Sequence, residues 1–320
     1  MSNIPMKVFA GNSNPELATK ISKYLKMKPG KVKINRFSDG EVSLNINESV
    51  RGYHCFVIQS TSPPVNENLL ELLVLMDALK RASATEITVI IPYYGYGRQD
   101  RKSSPRQPIT AKLVADLLET AGATRIIAMD LHAAQIQGFF DVPFDHLYAT
   151  PIFIKDIRSR FCKSELEARK IVLVSPDTGG VEIARAYAKR LHSDLAIIDK
   201  RRPKPGIAEV MNVIGKTAEK KAIIIDDMID TAGTLVKAAE ALNQKGATEV
   251  IAYATHAVFS GLAIDRIEKS KLSEIIISDS IPLNPKMKTC KKIRTLSCAP
   301  LVGEAIRRVH TRSSISTLFL

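Results

Sequence analysis

The chain has no Trp, and aromatic residues make up only 6% of it. Gly and Pro number 16 each in 320 residues, too few for a collagen-like repeat or a chain dominated by linkers. No apolar run approaches the ~18–20 residues that span a bilayer as a helix. Residues 1–16 carry Lys7 but no long apolar segment, so a secretory signal is not expected. The four cysteines, Cys55, Cys162, Cys290 and Cys298, form no CxxC pair, which leaves a zinc ribbon or a redox pair without support. Thiols this scattered suit a reducing compartment, and the expected location is cytoplasmic.

What is present is ordinary globular composition, 45% hydrophobic and 25% charged. The length fits two domains. Lys and Arg total 46 against 33 Asp and Glu, a net charge of +13. An anionic partner is expected, but charge alone does not choose between nucleic acid, a membrane surface and a phosphorylated metabolite.

Short β-branched runs read as buried strands at 55–59, 87–92, 125–129, 170–175, 195–199, 222–226, 250–254 and 274–278. Helix-period stretches lie between many of them. One spans 110–121, with Leu113, Val114, Leu117 and Leu118 on one face, and another spans 235–245 before Gly246. Alternating apolar strands and amphipathic helices predict parallel sheets covered on both faces. GATRIIAMDLHA at 122–133 recurs 124 residues later as GATEVIAYATHA, with seven of twelve positions identical. Two homologous α/β domains are therefore expected, over 1–148 and 149–320, the first with an enlarged loop around 93–108. Chance similarity between short α/β units is the alternative.

Ligands of parallel sheets sit at the carboxyl ends of strands. After the run 222–226 comes DDMIDTAGT, residues 226–234. Asp230, Thr231, Ala232, Gly233 and Thr234 form a turn of small and hydroxylated residues at a helix start, which suits a phosphate monoester. Asp226 and Asp227 beside it require neutral hydroxyls or a cation, so a sugar phosphate answers both halves of the motif. An ordinary capped helix is the alternative. No GxxxxGK[ST] occurs, so any nucleotide is not held by a P-loop.

This stretch resembles the ribose-5-phosphate loop of the phosphoribosyltransferase fold. The wider resemblance is to ribose-phosphate pyrophosphokinases of the phosphate-activated type. It rests on RFSDGE at 36–41, GRQD at 97–100, MDLHA at 129–133, QIQGFF at 135–140, SPDTGG at 175–180, DKRR at 199–202, the Asp226 loop, EAIRR at 304–308 and SIS at 314–316. It covers essentially the whole chain. It departs at Leu262, where many relatives have Pro, and slightly in the loop 101–106.

The resemblance implies two phosphoribosyltransferase-like domains, each a parallel sheet flanked by helices. It implies transfer of the β,γ-diphosphate of MgATP to the 1-hydroxyl of ribose 5-phosphate, releasing AMP and feeding nucleotide, histidine and tryptophan synthesis. ATP would be held by Phe37, Asp39, Gly40, Glu41, Arg98 and Gln99, although Phe37 taken alone reads as a core aromatic. His132 and Asp177 would bind Mg²⁺, one or two ions per site. Lys200 and Arg202 would stabilise the transferring group, and Arg202 with Asp226, Asp227 and Asp230 to Thr234 would hold ribose 5-phosphate. Phosphate and ADP would act as effectors at Ser49, Arg51, Ser314 and Ser316, in a homo-hexamer. No nucleic-acid or membrane partner is implied, although the basic run 286–294 leaves a nucleic-acid binder as an alternative. A catalytically silent regulatory homologue and a phosphoribosyltransferase that consumes the activated sugar are the other two. The intact motifs oppose the first, and the two repeated domains oppose the second.

Overall fold

The computed structural model describes residues 4–161, 164–165, 169–201 and 210–319. They form two compact units. The first comprises Met1–Tyr148, Ser280–Pro282 and Ser297–Leu320, and the second comprises Ala149–Asp279 and Leu283–Leu296.

In the first unit the order is β1 (Met6–Ala10), α1 (Pro15–Leu25), β2 (Val32–Arg36), β3 (Val42–Ile46), β4 (His54–Ile58), α2 (Val65–Arg81), β5 (Glu86–Ile91), α3 (Thr110–Thr120), β6 (Arg125–Met129) and β7 (Phe144–Leu147). Strands β1-β4-β5-β6-β7 make one parallel sheet, and β2-β3 is a separate antiparallel hairpin. Every residue of β4 is buried, as expected of a central strand covered on both faces. Helix α3 does not bury the stripe predicted for it. Ala111, Val114, Ala115 and Leu118 face the core, while Leu113 and Leu117 are exposed.

The second unit contains α4 (Thr150–Arg160), β8 (Ile171–Ser175), α5 (Val181–Leu191), β9 (Asp194–Arg201), β10 (Val210–Ile214), β11 (Lys221–Ile229), α6 (Gly233–Gln244), β12 (Glu249–Ala257), α7 (Ala263–Lys269), β13 (Glu274–Ser278), α8 (Pro285–Thr289) and β14 (Ile293–Leu296). Its sheet runs β10-β9-β8-β11-β12-β13-β14, parallel except for β10 on the edge. The core is aliphatic, with Val172, Val174, Ile224, Leu242, Ile275 and Ile277 among its buried members.

Two expectations need correction. The second domain does not continue to residue 320. The last helix, α9 (Ala299–Thr311), belongs to the first unit, where it packs on α1. Tyr24 donates to Glu304 Oε2 at 3.1 Å, and a Cβ on Gly303 would lie 2.5 Å from the Tyr24 ring, so Gly at that position permits the close approach. The internal repeat is also out of step with the sheets. It equates β6 with β12, whereas strand order matches β1-β4-β5-β6-β7 with β8-β11-β12-β13-β14 in chain order, so that β5 corresponds to β12 and β4 to β11. Helix end, apolar strand and polar stop recur in every βα unit, so neighbouring rungs resemble one another in sequence.

The basic run 286–294 is engaged within its own unit. Lys286 pairs with Asp265 at 2.9 Å, Lys292 donates to the carbonyls of Ile267 and Ser270, and Arg294 pairs with Asp156 and Glu274. Among the described residues, no helix is long and apolar enough to cross a membrane.

Candidate active site

The strongest site candidate lies where β11 leaves the sheet of the second unit. Four buried residues, Ala222 to Ile225, carry the strand between β8 and β12, and Asp226 and Asp227 follow within β11, past its last residue paired with β8. Asp226 Oδ1 accepts the amide of Asp227 at 2.9 Å. Burial, then the neighbouring Asp227 carboxylate and then Asp177, push the Asp226 carboxyl well above its ordinary range. Three carboxylates thus share one strand-end environment, drawn from β11 and from the loop after β8.

The chain then turns through Asp230, Thr231 and Ala232 into α6. Ala232 is buried, adopts a left-handed φ of 59°, and occupies the cap position with no side-chain hydrogen bond to the helix amides. Thr231 and Thr234 are exposed, and Gly233 is half-buried. An uncapped helix start with two flanking hydroxyls and positive dipole potential can receive a phosphate group. The seven residues predicted here thus fall on one strand-to-helix connection, Asp226 and Asp227 within β11 and Asp230 to Thr234 in the turn and first residues of α6. Sequence reading missed two neighbours. Ser260 donates to the Asp230 carboxylate, and Arg266 donates to Thr231 O at 2.8 Å. Ser260 lies in the run FSGL at 259–262 after β12, and Arg266 lies on the helix that follows.

Asp177 follows β8. Its Oδ1 accepts the amides of Gly179 and Gly180 at 3.0 and 3.1 Å, which fixes the turn into α5. Lys200 sits near the end of β9, opposite Met211 of β10. The Lys200 side chain and Arg202 lie outside the described residues.

In the first unit the candidates occupy three places. RFSDGE closes the β2–β3 hairpin, where Phe37 N donates to Glu41 O at 2.8 Å, Gly40 N to Phe37 O at 3.0 Å and Glu41 N to Asp39 Oδ1 at 3.1 Å. Gly40 supplies the left-handed residue of the turn, with a φ of 96°. Phe37 is 57% exposed, so the core reading of this aromatic is wrong. Arg98 and Gln99, both exposed, follow β5. Gln99 is tied to the start of α3, since its Oε1 accepts from Thr110 Oγ1 at 2.9 Å and its carbonyl accepts from Ala111 N at 3.2 Å. His132 is exposed just after β6, behind Asp130, whose φ of 38° is left-handed. Its supposed counterpart His256 lies inside β12 and is buried.

The regulatory candidates are also in the first unit. Ser49 and Arg51 are exposed before β4. Ser314 and Ser316 share a hydrogen bond of 2.8 Å beyond α9, and Arg308 donates to Ser314 O at 2.7 Å.

Among the described residues, no three His, Cys, Asp or Glu side chains are gathered to hold a metal ion by themselves. The donor set at the β11 exit is nonetheless all oxygen, acidic and mutually repelling. That is the chemistry of a hard divalent cation that completes its shell with substrate phosphates and water.

Comparison with known proteins converges on one family. The N-terminal domain of ribose phosphate pyrophosphokinase matches residues 6–122, and the phosphoribosyl synthetase-associated domain matches residues 200–320. A ribose-phosphate pyrophosphokinase of Bacillus cereus is 56% identical over 317 residues, covering 99% of this chain and 98% of the relative. One from Fusobacterium nucleatum is 57% identical over 314 residues, covering 98% of each. A solved phosphoribosylpyrophosphate synthetase from Mycobacterium smegmatis matches with a TM-score of 0.90 at 41% identity, over 97% of this chain and 100% of that one. The chain belongs to the ribose-phosphate pyrophosphokinase family.

Proposed function

We propose that this enzyme transfers the β,γ-diphosphate of ATP to the 1-hydroxyl of ribose 5-phosphate, giving 5-phosphoribosyl 1-diphosphate and AMP. One observation carries the reading. The half-buried acid pair Asp226–Asp227 stands on the same strand-to-helix connection as a helix start that no side chain caps. Acids for hydroxyls beside amides for an anion describe a phosphorylated sugar, and the family supplies the rest of the reaction.

In this reading Asp230, Thr231, Ala232, Gly233 and Thr234 hold the 5-phosphate, and Asp226 and Asp227 hold the ring hydroxyls. Phe37 offers an exposed ring to adenine, with Asp39, Gly40 and Glu41 at its polar edge. Arg98 and Gln99 approach the phosphates. Transfer of this kind depends on positioning and charge neutralisation more than on covalent catalysis. Lys200 and Arg202 supply positive charge to the transferring group. His132, Asp177 and the acid pair are the residues that would hold Mg²⁺, which when bound neutralises phosphate charge. Phosphate and ADP act at Ser49, Arg51, Ser314 and Ser316, and the working assembly is a hexamer.

The test is to mix the purified chain with MgATP and ribose 5-phosphate, with inorganic phosphate present, and follow phosphorus NMR. AMP and a sugar 1-diphosphate are expected. ADP with a sugar bisphosphate would make it an ordinary kinase and overturn the mechanism. No turnover would favour a silent regulatory homologue.

A further inference from the structure

The phosphate-type loop of the second unit is braced from outside. Three consecutive residues at its start are fastened from a single segment, 259–266, that follows β12. Phe259 N donates to Ile229 O at 3.0 Å, and Ser260 N donates to Asp230 O at 3.1 Å. The Ser260 hydroxyl donates to Asp230 Oδ1. Arg266, on α7, reaches back with Nη1 to Thr231 O at 2.8 Å.

Both sides of this contact hold uncommon backbone. Phe259 has φ 46° and Gly261 φ 57°, facing Ala232 at 59°. Left-handed conformations are uncommon for residues with a Cβ and persist where the surroundings over-determine them. Phe259 and Ala232 are both buried, at 5% and 4% exposure, and so anchor the two turns in the core between them. Ser260, between two left-handed residues, is aimed at Asp230 by that geometry.

The groups engaged are the ones that would oppose an anion. The Asp230 carboxylate and the Thr231 carbonyl carry negative charge or partial charge at the entrance to a phosphate receptor. Each is drawn to a donor outside the loop, and the guanidinium of Arg266 adds a full positive charge within 3.7 Å of where a Gly233 Cβ would lie. We infer that Ser260 and Arg266 are positioning residues for the 5-phosphate, acting through Asp230 and Thr231 rather than on the reacting atoms. This rests on reading Asp230 to Thr234 as the phosphate loop.

Both side chains are exposed, so truncation leaves the core untouched. The experiment measures initial rates against each substrate for the full chain and for Ser260→Ala and Arg266→Ala, with melting temperatures alongside. KM for ribose 5-phosphate is expected to rise about tenfold, while kcat and KM for ATP stay within about twofold, the pattern of lost ground-state binding. Ser260→Thr and Arg266→Lys, which keep the donors, are expected to recover most of the loss without changing the melting temperature. If the parent enzyme forms no AMP from the two substrates, the functional reading itself fails. If it turns over and the Ala variants leave KM for ribose 5-phosphate unmoved, or shift both KM values together, the positioning role is overturned. A loss in the Ala variants that Thr and Lys fail to recover also overturns it.

Discussion

Arg294 grips Asp156 with two parallel hydrogen bonds, Nη1 to Oδ1 and Nη2 to Oδ2, each 2.7 Å. Its Nε reaches Glu274 at 2.7 Å, and the buried Tyr253 donates to Asp156 Oδ2 at 2.7 Å. The cluster joins α4, β12, β13 and β14 across the second unit. Burial pushes the Asp156 carboxyl up, but hydrogen bonds from Arg294 and Tyr253 more than reverse this, so it titrates below its ordinary range. Glu274 follows the same pattern, with Arg294 and Arg160 outweighing burial. A lowered folded-state pKa contributes stability that is present above the ordinary carboxylate range and lost as pH falls through the folded value. Breaking a buried pair typically costs ~3–5 kcal/mol, and exposure of the guanidinium reduces this to about 1–3 kcal/mol here. Arg294→Met is therefore expected to lower stability by that amount in urea titrations at neutral pH. The gap should close in strong acid, and an equal gap at both pH values would refute the account.

Asp226 behaves in the opposite sense. Its carboxyl is raised by burial, by Asp227 and by Asp177, so the folded chain holds that proton more tightly than the unfolded chain does. The stabilising effect of the proton is complete below the ordinary carboxylate pKa and is lost as pH rises toward the folded value. Ionising Asp226 therefore costs the folded chain stability. Asp226→Asn keeps an oxygen for the Asp227 amide and removes the repulsion. Without divalent cations its melting temperature should exceed that of the parent by about 2–4 °C at pH 7, and by less at pH 4. Its kcat/KM should fall at least ~100-fold. A variant that is both inactive and less stable would show that Asp226 supports the fold instead.

Much of this was legible in the chain before any coordinates. Seven of the eight strands read from composition have buried cores, because continuous apolar runs such as those of β4 and β8 are required where a strand is covered on both faces, while β9 is half-buried. The strands that escaped, including β2, β3, β10 and β14, lie in the hairpin or at a sheet edge, where half-exposed residues blur the pattern. The Asp226 loop was legible because acids after four apolar residues have few structural uses. Ser260 and Arg266 were not, since they act on that loop from thirty or more residues away. The affiliation of α9 was invisible for a similar reason, as its partner α1 lies at the other end of the chain.

The exposed ring of Phe37 leads to a separable prediction. It stands at the tip of the β2–β3 turn, 57% exposed, and the hydrogen bonds that shape the turn are made by the backbone, by Asp39 and by Arg36, not by the Phe37 ring. Removing the ring should leave stability within ~0.5 kcal/mol, as for other surface substitutions. Stacking on a base is worth ~1–3 kcal/mol. Phe37→Ala should accordingly raise KM for ATP by roughly 5- to 140-fold. KM for ribose 5-phosphate should hold. Isothermal titration with a non-hydrolysable ATP analogue checks the binding directly, and an unchanged affinity would remove Phe37 from the adenine site.

Gly95 offers a test of how the first unit presents Arg98 and Gln99. Its amide donates to Thr61 Oγ1 at 2.7 Å, and that hydroxyl also lies 3.1 Å from Tyr93 O. A Cβ at Gly95 would lie 2.3 Å from Thr61 O, a backbone atom fixed by the loop after β4. No side-chain rotation relieves such a contact, so the segment 93–99 must move away from Thr61. Loss of the buried hydrogen bond and the accompanying strain should cost about 2–4 kcal/mol in Gly95→Ala. The displacement carries Arg98 and Gln99 with it, so KM for ATP should rise even at temperatures where the variant remains folded. Thr61→Val removes the same hydroxyl without forcing the backbone apart. It should lose stability through the unpaired Gly95 amide but retain more ATP affinity than Gly95→Ala. Equal ATP affinities in the two variants would mean that the position of this loop does not govern nucleotide binding.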